Sequence, residues 1–303
     1  MCTKLQRCAG AFVVVGLCLM GFSTPADTST AYADDGNSTN AADYSTANCA
    51  QTISADNDAS TKLQNAVNGA STDGANPTLV CLAGNVQLDA SIDVAGRHVV
   101  LRNAYGNSTV TLTRSKASQD PVFSITNGGS LVVESVAGGD ANVGLLYGDT
   151  TNYQNWGPFA RVDGSSALVF NHGTISHIGG NSYGALVRNN GGRVTVNGGS
   201  FSNNFTSKDG GAVIDSRGGS VAVNGGSFSN NGEDASHRSG NGGVAYLVSA
   251  SMTIKNGSFT GNSAQRHGGV LFAKNNSVVT ISGGTFSNNA VDPVKPAMNI
   301  GGG

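Results

Sequence analysis

The sequence predicts an all-β fold, a right-handed parallel β-helix in which short strands wind into stacked coils. Three observations lead to this expectation. A segment of about 27 residues recurs, its strand and turn residues keep constant relative positions, and no stretch of the repeats has a convincing 3.6-residue period. A unit this short cannot bury its own apolar face, so its copies must stack on one another.

Four copies of the repeat are visible by eye. Each has a short apolar strand, a turn rich in Gly or Asn, and an aromatic residue five positions after the last strand residue. The copies span 194–201, 221–228, 252–259 and 279–286, and a weaker copy spans 168–175. In the weaker copy Ile175 takes the place of the aromatic residue. Counted from Ile175, successive equivalent positions lie 26, 27, 31 and 27 residues apart. Because spacing inside the unit is constant, we expect the extra residues of the longest coil in one loop, 232–241.

Further strands are predicted around these copies, because short β-branched or aromatic runs are bounded there by Gly and Asn. A second strand between copies is expected at 184–187, 211–214, 243–246 and 269–272. Irregular earlier coils are expected through 79–82, 86–94, 99–101, 110–112, 122–125 and 131–133.

Stacking places equivalent residues above one another, because parallel strands lie ~4.8 Å apart. An inward aromatic column is predicted from Phe201, Phe228, Phe259 and Phe286. A column of turn amides is predicted from Asn204, Asn231, Asn262 and Asn289, each three residues after its Phe. Asn tolerates the left-handed conformation of tight corners, and stacked side-chain amides bond along the column.

Two motifs alternate in this region. Phe-x-x-Asn occurs four times, and Gly-Gly followed by a small or aliphatic pair occurs three times, at 210–213, 242–245 and 268–271. This alternation resembles the repeats of the chlamydial polymorphic membrane proteins and, more broadly, pectate-lyase-like right-handed β-helices, over about residues 167–303. The resemblance implies surface display and adhesion.

The chain divides into four predicted parts. Residues 1–33 resemble an export signal, with Lys4 and Arg7 before an apolar run and a small-x-small site at 31–33. Residues 34–58 are expected to form a flexible leader. Residues 59–75 are expected to form an N-terminal cap, with a short helix over 60–67 that Ser60 begins. Irregular coils over 76–166 and regular repeats over 167–303 complete the β-helix, which we expect to stop in mid-coil.

Two cysteines remain after removal of the predicted signal. Cys49 and Cys81 are expected in an oxidising environment, where a disulfide clamping the N-terminal segment is one interpretation and two unpaired buried thiols are the other. We expect a secreted or cell-surface protein without a transmembrane span in its mature chain, because no later stretch approaches the ~20 apolar residues that spanning requires.

The charge balance argues against nucleic acid as a ligand. Lys and Arg number 17 against 19 Asp and Glu, with no basic stripe, whereas phosphate binding needs clustered cations. No metal or cofactor is expected, because the histidines lack partners at metal-ligand spacing. Arg188 and Asp215 occupy equivalent positions of adjacent coils, which predicts an exposed and weak structural ion pair.

The distance from Leu131 to Leu168 is about ten residues longer than one coil needs. We place this excess in 144–159, which contains Tyr147, Tyr153 and Trp156. Long loops on a rigid scaffold often carry function, and aromatic faces bind sugar rings, so these three residues are the candidate ligand platform. Alternatively, the aromatic side chains pack back onto the flank of the helix.

The leading functional prediction is a non-enzymatic adhesin or surface-display module, with a host or environmental glycan or a protein as its receptor. The alternative is a polysaccharide lyase or glycoside hydrolase that uses the 144–163 region. Such enzymes need carboxylates that converge on one groove. Asp140, Asp149 and Asp163 flank the aromatic residues and are the candidates for that role, although no catalytic motif is present.

Overall fold

The computed structural model describes residues 49–135, 144–180, 183–232 and 239–291. This part of the chain is an all-β solenoid of about eight turns, built from parallel sheets with one short helix. The predicted export signal, most of the predicted leader and residues 292–303 lie outside the described residues.

Three long sheets form the faces of the solenoid. Sheet 1 has nine strands: β1 (Gln51–Ile53), β2 (Thr78–Leu82), β5 (His98–Asn103), β8 (Ser130–Glu134), β11 (Ala167–Phe170), β14 (Arg193–Val196), β17 (Ser220–Val223), β21 (Ser251–Ile254) and β25 (Val278–Ile281). Sheet 2 has seven strands: β4 (Ile92–Asp93), β7 (Phe123–Ile125), β10 (Ala160–Asp163), β13 (Val187–Asn190), β16 (Ile214–Arg217), β20 (Ala245–Val248) and β24 (Leu271–Lys274).

Sheet 3 has eight strands: β3 (Val86–Leu88), β6 (Val110–Arg114), β9 (Leu145–Gly148), β12 (Thr174–Ser176), β15 (Ser200–Ser202), β18 (Ser227–Ser229), β22 (Ser258–Thr260) and β26 (Thr285–Ser287). A shorter sheet 4 contains β19 (Ser239–Asn241), β23 (Ser263–His267) and β27 (Ala290–Val291). Within every sheet the strands follow chain order, so each strand pairs with its equivalents one coil away.

The aromatic column lies in the interior, as a stack of nearly parallel rings. Phe201, Phe228, Phe259 and Phe286 pair in register on sheet 3. Their ring centroids are 4.8, 4.7 and 4.7 Å apart, with interplanar angles of 17°, 3° and 4°. The first three side chains are fully buried, whereas Phe286, on the last described coil, is 43% exposed.

The amide column is continuously bonded, with Asn204, Asn231 and Asn262 fully buried and Asn289 half-buried. Asn204 donates from Nδ2 to Asn231 Oδ1 at 3.0 Å, Asn231 to Asn262 at 2.9 Å, and Asn262 to Asn289 at 2.9 Å. These asparagines are not themselves left-handed. That conformation belongs to the preceding residue, which is Asn203, Asn230, Gly261 or Asn288. In each turn, therefore, one residue makes the corner and the next residue builds the ladder.

The second strands begin later than predicted. The segments expected at 184–187, 211–214, 243–246 and 269–272 supply only the first residues of β13, β16, β20 and β24. Their glycines form the corner instead. Gly184 has φ +68°, and a Cβ there would lie 2.3 Å from the carbonyl oxygen of Val187. Only a residue without a Cβ fits this turn.

The insertion between β8 and β11 lies earlier than predicted. Val133 and Tyr147 are 14 residues apart, whereas their register equivalents Phe170 and Ile175 are five apart. The extra residues therefore lie between Glu134 and Leu145, and the segment 144–159 follows the ordinary course of a coil. The number of residues between two strands measures the size of an insertion, but it does not locate it.

The N-terminal segment joins the solenoid. Cys49 and Cys81 form a disulfide with a Cα–Cα distance of 5.8 Å, and β1 pairs with β2, so part of the segment assigned to the flexible leader is a strand of sheet 1. Helix α1 (Ala59–Asn68) contacts β1, β3 and β4 and buries Leu63, Ala66 and Val67. Ser60 lies inside this helix and does not cap it. Asp58 occupies the N-cap position and forms no side-chain capping bond.

Candidate ligand-binding groove

Two of the three predicted platform residues belong to the core. Tyr147 is fully buried at the position of β9 that pairs with Ile175, and Trp156 is 8% exposed. Their rings stack at 5.7 Å, and the Tyr147 hydroxyl donates to the Gly157 carbonyl at 2.7 Å. Burial raises the pKa of Tyr147 far above its ordinary value, with Arg114 opposing the rise. Neither ring offers a face to a ligand, so the prediction is wrong for both.

Tyr153, the third predicted residue, lies at a surface groove. Its ring contacts His177, with centroids 5.3 Å apart, and Phe205, which no sequence motif marked as a site residue. The half-buried rings of Tyr153 and Phe205 meet edge to face, with centroids 5.1 Å apart and planes at 84°. Phe205 directly follows the ladder residue Asn204, where the other copies have Gly232, Ser263 and Ala290. This departure from the repeat was the signal that could have identified it.

Three successive coils build the groove. Tyr153, Gln154 and Asn155 come from the coil of β9, Gly179 and Gly180 from the coil of β12, and Phe205 and Ser207 from the coil of β15. Backbone bonds join the layers: Gly179 N–H donates to the Gln154 carbonyl at 3.0 Å, and Ser207 N–H donates to the Gly180 carbonyl at 2.8 Å. These bonds hold the three backbone layers of the groove in contact.

The middle layer is glycine because side chains from the two outer layers occupy the space above it. A Cβ on Gly179 would lie 1.8 Å from Cε1 of Phe205. A Cβ on Gly180, which has φ +108°, would lie 2.2 Å from Oδ1 of Asn155. Side chains two coils apart would otherwise be separated by about 10 Å, and the glycine pair lets them lean together across the missing layer.

The groove has a volume of about 230 Å³, and none of the seven described residues that line it is charged. Its polar side-chain groups are the amides of Gln154 and Asn155 and the hydroxyls of Tyr153 and Ser207. Asn155 Oδ1 accepts from Gln119 Nε2 at 2.8 Å, and Ser207 Oγ donates to the Gly180 carbonyl at 3.0 Å. The site therefore combines aromatic rings with neutral hydrogen-bonding groups.

The acidic residues near this region have structural partners. Asp149 accepts backbone hydrogen bonds from Thr151 at 2.8 Å and Asn152 at 3.1 Å, which hold its pKa below the ordinary value. Asp163 accepts from Asn190 Nδ2 at 2.9 Å and lies 3.1 Å from Arg161 Nε. Asp140 lies outside the described residues. Each of the two described carboxylates stabilises its own turn or strand.

The predicted ion pair on sheet 2 has a different partner and a different environment. Arg188 and Asp215 are register neighbours, but Asp215 pairs with Arg217, whose Nε lies 2.8 Å from Oδ1. The Asp215 side chain is fully buried rather than exposed. Burial raises the pKa of Asp215 despite this partner. Burial opposes the charge of Arg217 too, but the bond and charge of Asp215 outweigh it and raise the pKa of Arg217.

Aromatic rings separate the cations of this face. Arg188 and Arg217 both lie 4.8 Å from the Tyr183 ring, Arg217 lies 5.4 Å from the Tyr246 ring, and Lys274 lies 5.3 Å from the Tyr246 ring. Cation–π attraction of this kind contributes about 0.5–1 kcal/mol per contact at exposed sites. We interpret the cluster as a set of structural contacts that link four neighbouring coils.

The outer face of sheet 3 carries paired hydroxyls. The two residues that flank each inward position of the column are Ser or Thr on five successive coils: Thr174 and Ser176, Ser200 and Ser202, Ser227 and Ser229, Ser258 and Thr260, Thr285 and Ser287. Some of them bond along the rows, with Ser176 Oγ 3.1 Å from Ser202 Oγ and Thr260 Oγ1 3.1 Å from Ser287 Oγ. This face is therefore uncharged and hydroxylated.

Comparisons with family models, curated proteins and solved structures found no match for the chain. No helix within the described ranges is long and apolar enough to cross a membrane. No three His, Cys, Asp or Glu side chains in this same part of the chain are grouped to hold a metal ion.

Proposed function

We propose that the protein is an exported β-solenoid that acts at the cell surface or after secretion as a non-enzymatic adhesion or display module. The observation that carries this proposal is the in-register stack. Buried columns of rings and bonded amides hold the outer faces in place, and those faces present uncharged hydroxyl rows and one aromatic groove. Extended surfaces on solenoids are typical binding surfaces.

Two further observations support export. The N-terminal sequence has the charge, apolar run and small-residue site of an export signal. The Cys49–Cys81 disulfide suits a compartment that is not reducing. A secreted adhesion or display module needs a rigid body and an accessible surface.

Export and adhesion are tested separately. When the full chain is produced in an exporting bacterial host, we expect it in the surface or medium fraction with its N-terminus near Asp34, as read by mass spectrometry. Retention of the uncleaved chain in the cytoplasm would contradict export. Beads coated with the purified protein should then attach to glycan-bearing or cell surfaces, and uncoated beads should not.

Enzymatic activity is the outcome that would replace this proposal. The purified protein is incubated with pectin-like polysaccharides and with host glycans, with and without added divalent cations. We expect no release of reducing or unsaturated ends. Turnover that depends on Asp149 or Asp163 would instead support the alternative of a glycan-active enzyme.

A further inference from the structure

We infer that the groove formed by Tyr153, Phe205 and the Gly179–Gly180 floor binds one neutral sugar ring of a glycan chain. This inference rests on the proposed adhesive function and names its ligand class. The ligand follows from the groove's size, from its uncharged lining and from its aromatic pair.

Size limits the ligand to a single ring at a time. The groove volume of about 230 Å³ falls just below the ~300 Å³ at which pockets for complete small molecules begin. The groove is also open at the surface, between stacked coils, so a longer chain can extend away from the bound ring. A terminal or internal sugar of a polymer meets both conditions.

The lining favours a neutral sugar over an anionic one. Charged ligands are recognised by Arg, Lys or oriented charge, and the described lining contains only Tyr, Phe, Gln, Asn, Ser and Gly. The exposed cation Lys208 directly follows Ser207 in the chain, but it is not among the described residues that line the groove. A sialylated or sulfated ring in the groove would therefore lose water around its charge without gaining a counter-charge from the lining.

The aromatic pair and the amides match the two sides of a pyranose. A pyranose has a face of C–H groups, which packs on an aromatic ring, and an edge of hydroxyls, which bonds to amides and hydroxyls. Tyr153 and Phe205 supply rings that are half-buried and held edge to face. Gln154, Asn155 and Ser207 supply neutral polar groups around them.

The floor explains why the site occurs at this coil. On the next coils, the residue after the ladder asparagine is Gly232, Ser263 or Ala290 instead of Phe205. The aromatic ring and the glycine pair beneath it therefore occur together at one level of the stack. They belong together because a Cβ on Gly179 would clash with the ring. We therefore expect one such site among the described coils.

The test is binding to a printed panel of neutral oligosaccharides that end in galactose, glucose, mannose or N-acetylglucosamine, together with sialylated and sulfated versions. We expect binding to neutral members only, with little change between about 50 mM and about 500 mM NaCl, because salt screens only charge-based attraction. Tyr153→Ala should weaken binding about tenfold or more, whereas Tyr153→Phe, which keeps the ring, should bind as the wild type does.

Controls separate this inference from the proposed function. Tyr105→Ala removes an aromatic side chain that is 42% exposed and does not line the groove, so its binding should be unchanged. Phe205→Ala is a second variant, and circular dichroism with the unfolding midpoint verifies the fold of each protein. If glycan binding survives both Tyr153→Ala and Phe205→Ala, the inference that the groove is the binding site is refuted, and the proposal of an adhesive function stands. If the protein adheres to a protein receptor and binds no glycan, the inference that the ligand is a sugar is refuted. Absence of any adhesion overturns both proposals.

Discussion

Replacing Asn231 by Ala removes the centre of the buried amide column. Its side chain donates to Asn262 Oδ1 and to the Phe201 carbonyl at 2.9 and 3.0 Å. It accepts from the backbone N–H and the Nδ2 of Asn204 at 3.1 and 3.0 Å. The change leaves the Asn204 backbone N–H and the Phe201 carbonyl without this partner in a dry turn. At about 1–3 kcal/mol for each such group, we expect a loss of roughly 4 kcal/mol in the free energy of unfolding.

Asn197→Ala is the matched control. Asn197 also belongs to an amide row, donating to Asn171 at 2.8 Å and accepting from Asn224 at 2.8 Å. Its side chain is exposed, so water replaces the lost partners and the cost should stay below about 1 kcal/mol. Urea unfolding followed by circular dichroism measures both variants. Equal losses in the two variants would refute the argument that burial gives the inner column its importance.

Asn231→Asp adds a test by pH. The introduced carboxyl would face two acceptors, the Phe201 carbonyl and Asn262 Oδ1, and burial would raise its folded pKa. A carboxyl whose folded pKa is raised costs stability only where it is ionised. The variant should therefore be least stable relative to the wild type near neutral pH, and its free energy of unfolding should approach that of the wild type as the pH falls through the raised pKa. A difference independent of pH would contradict the assigned hydrogen-bond directions.

Three further changes probe other parts of the stack. Phe228→Ala should cost about 3–5 kcal/mol because its ring is fully buried between two others, whereas Phe286→Ala, at a ring 43% exposed, should cost clearly less in the same urea assay. Reduction of the Cys49–Cys81 disulfide, whose cysteines are 32 residues apart, should lower the free energy of unfolding by roughly 3–4 kcal/mol; unchanged stability with dithiothreitol would show that β1 is dispensable. Because burial raises the folded pKa of Asp215 above its usual 3.8, its contribution to stability is fully present below that value and declines as the pH rises through the folded pKa. The free energy of unfolding of the wild type, relative to that of Asp215→Asn, should therefore be higher in acid than at neutral pH. The opposite trend would contradict the assigned direction of the pKa shift.

The regular coils were predictable because each contact joins residues one repeat apart. Phe201 meets Phe228 and Asn204 meets Asn231 on account of spacing alone. The strands β9 and β10 were not predicted, because an insertion before them breaks this spacing. The insertion before Leu145 shifts Tyr147 nine residues from the position that the repeat predicts, so an interior residue was mistaken for part of a loop.

The turn at the amide column shows how far residue preferences extend. Asn was expected both to adopt the left-handed conformation and to build the ladder. The structure divides the two roles between Asn203 and Asn204, and between Asn230 and Asn231. Propensity places Asn in the corner, but the direction of the side chain decides which Asn bonds along the stack.

The sequence by itself determined the stack, its period and the members of its inner columns, because parallel strands bring each residue against its counterpart one coil away. Only the tertiary structure decided where the insertion lies and which outer residues form the groove. Tyr153 and Phe205 sit two coils apart and meet because Gly179 between them has no side chain. Contacts of that kind depend on how loops lean across a neighbouring layer, which the spacing of the repeat does not specify.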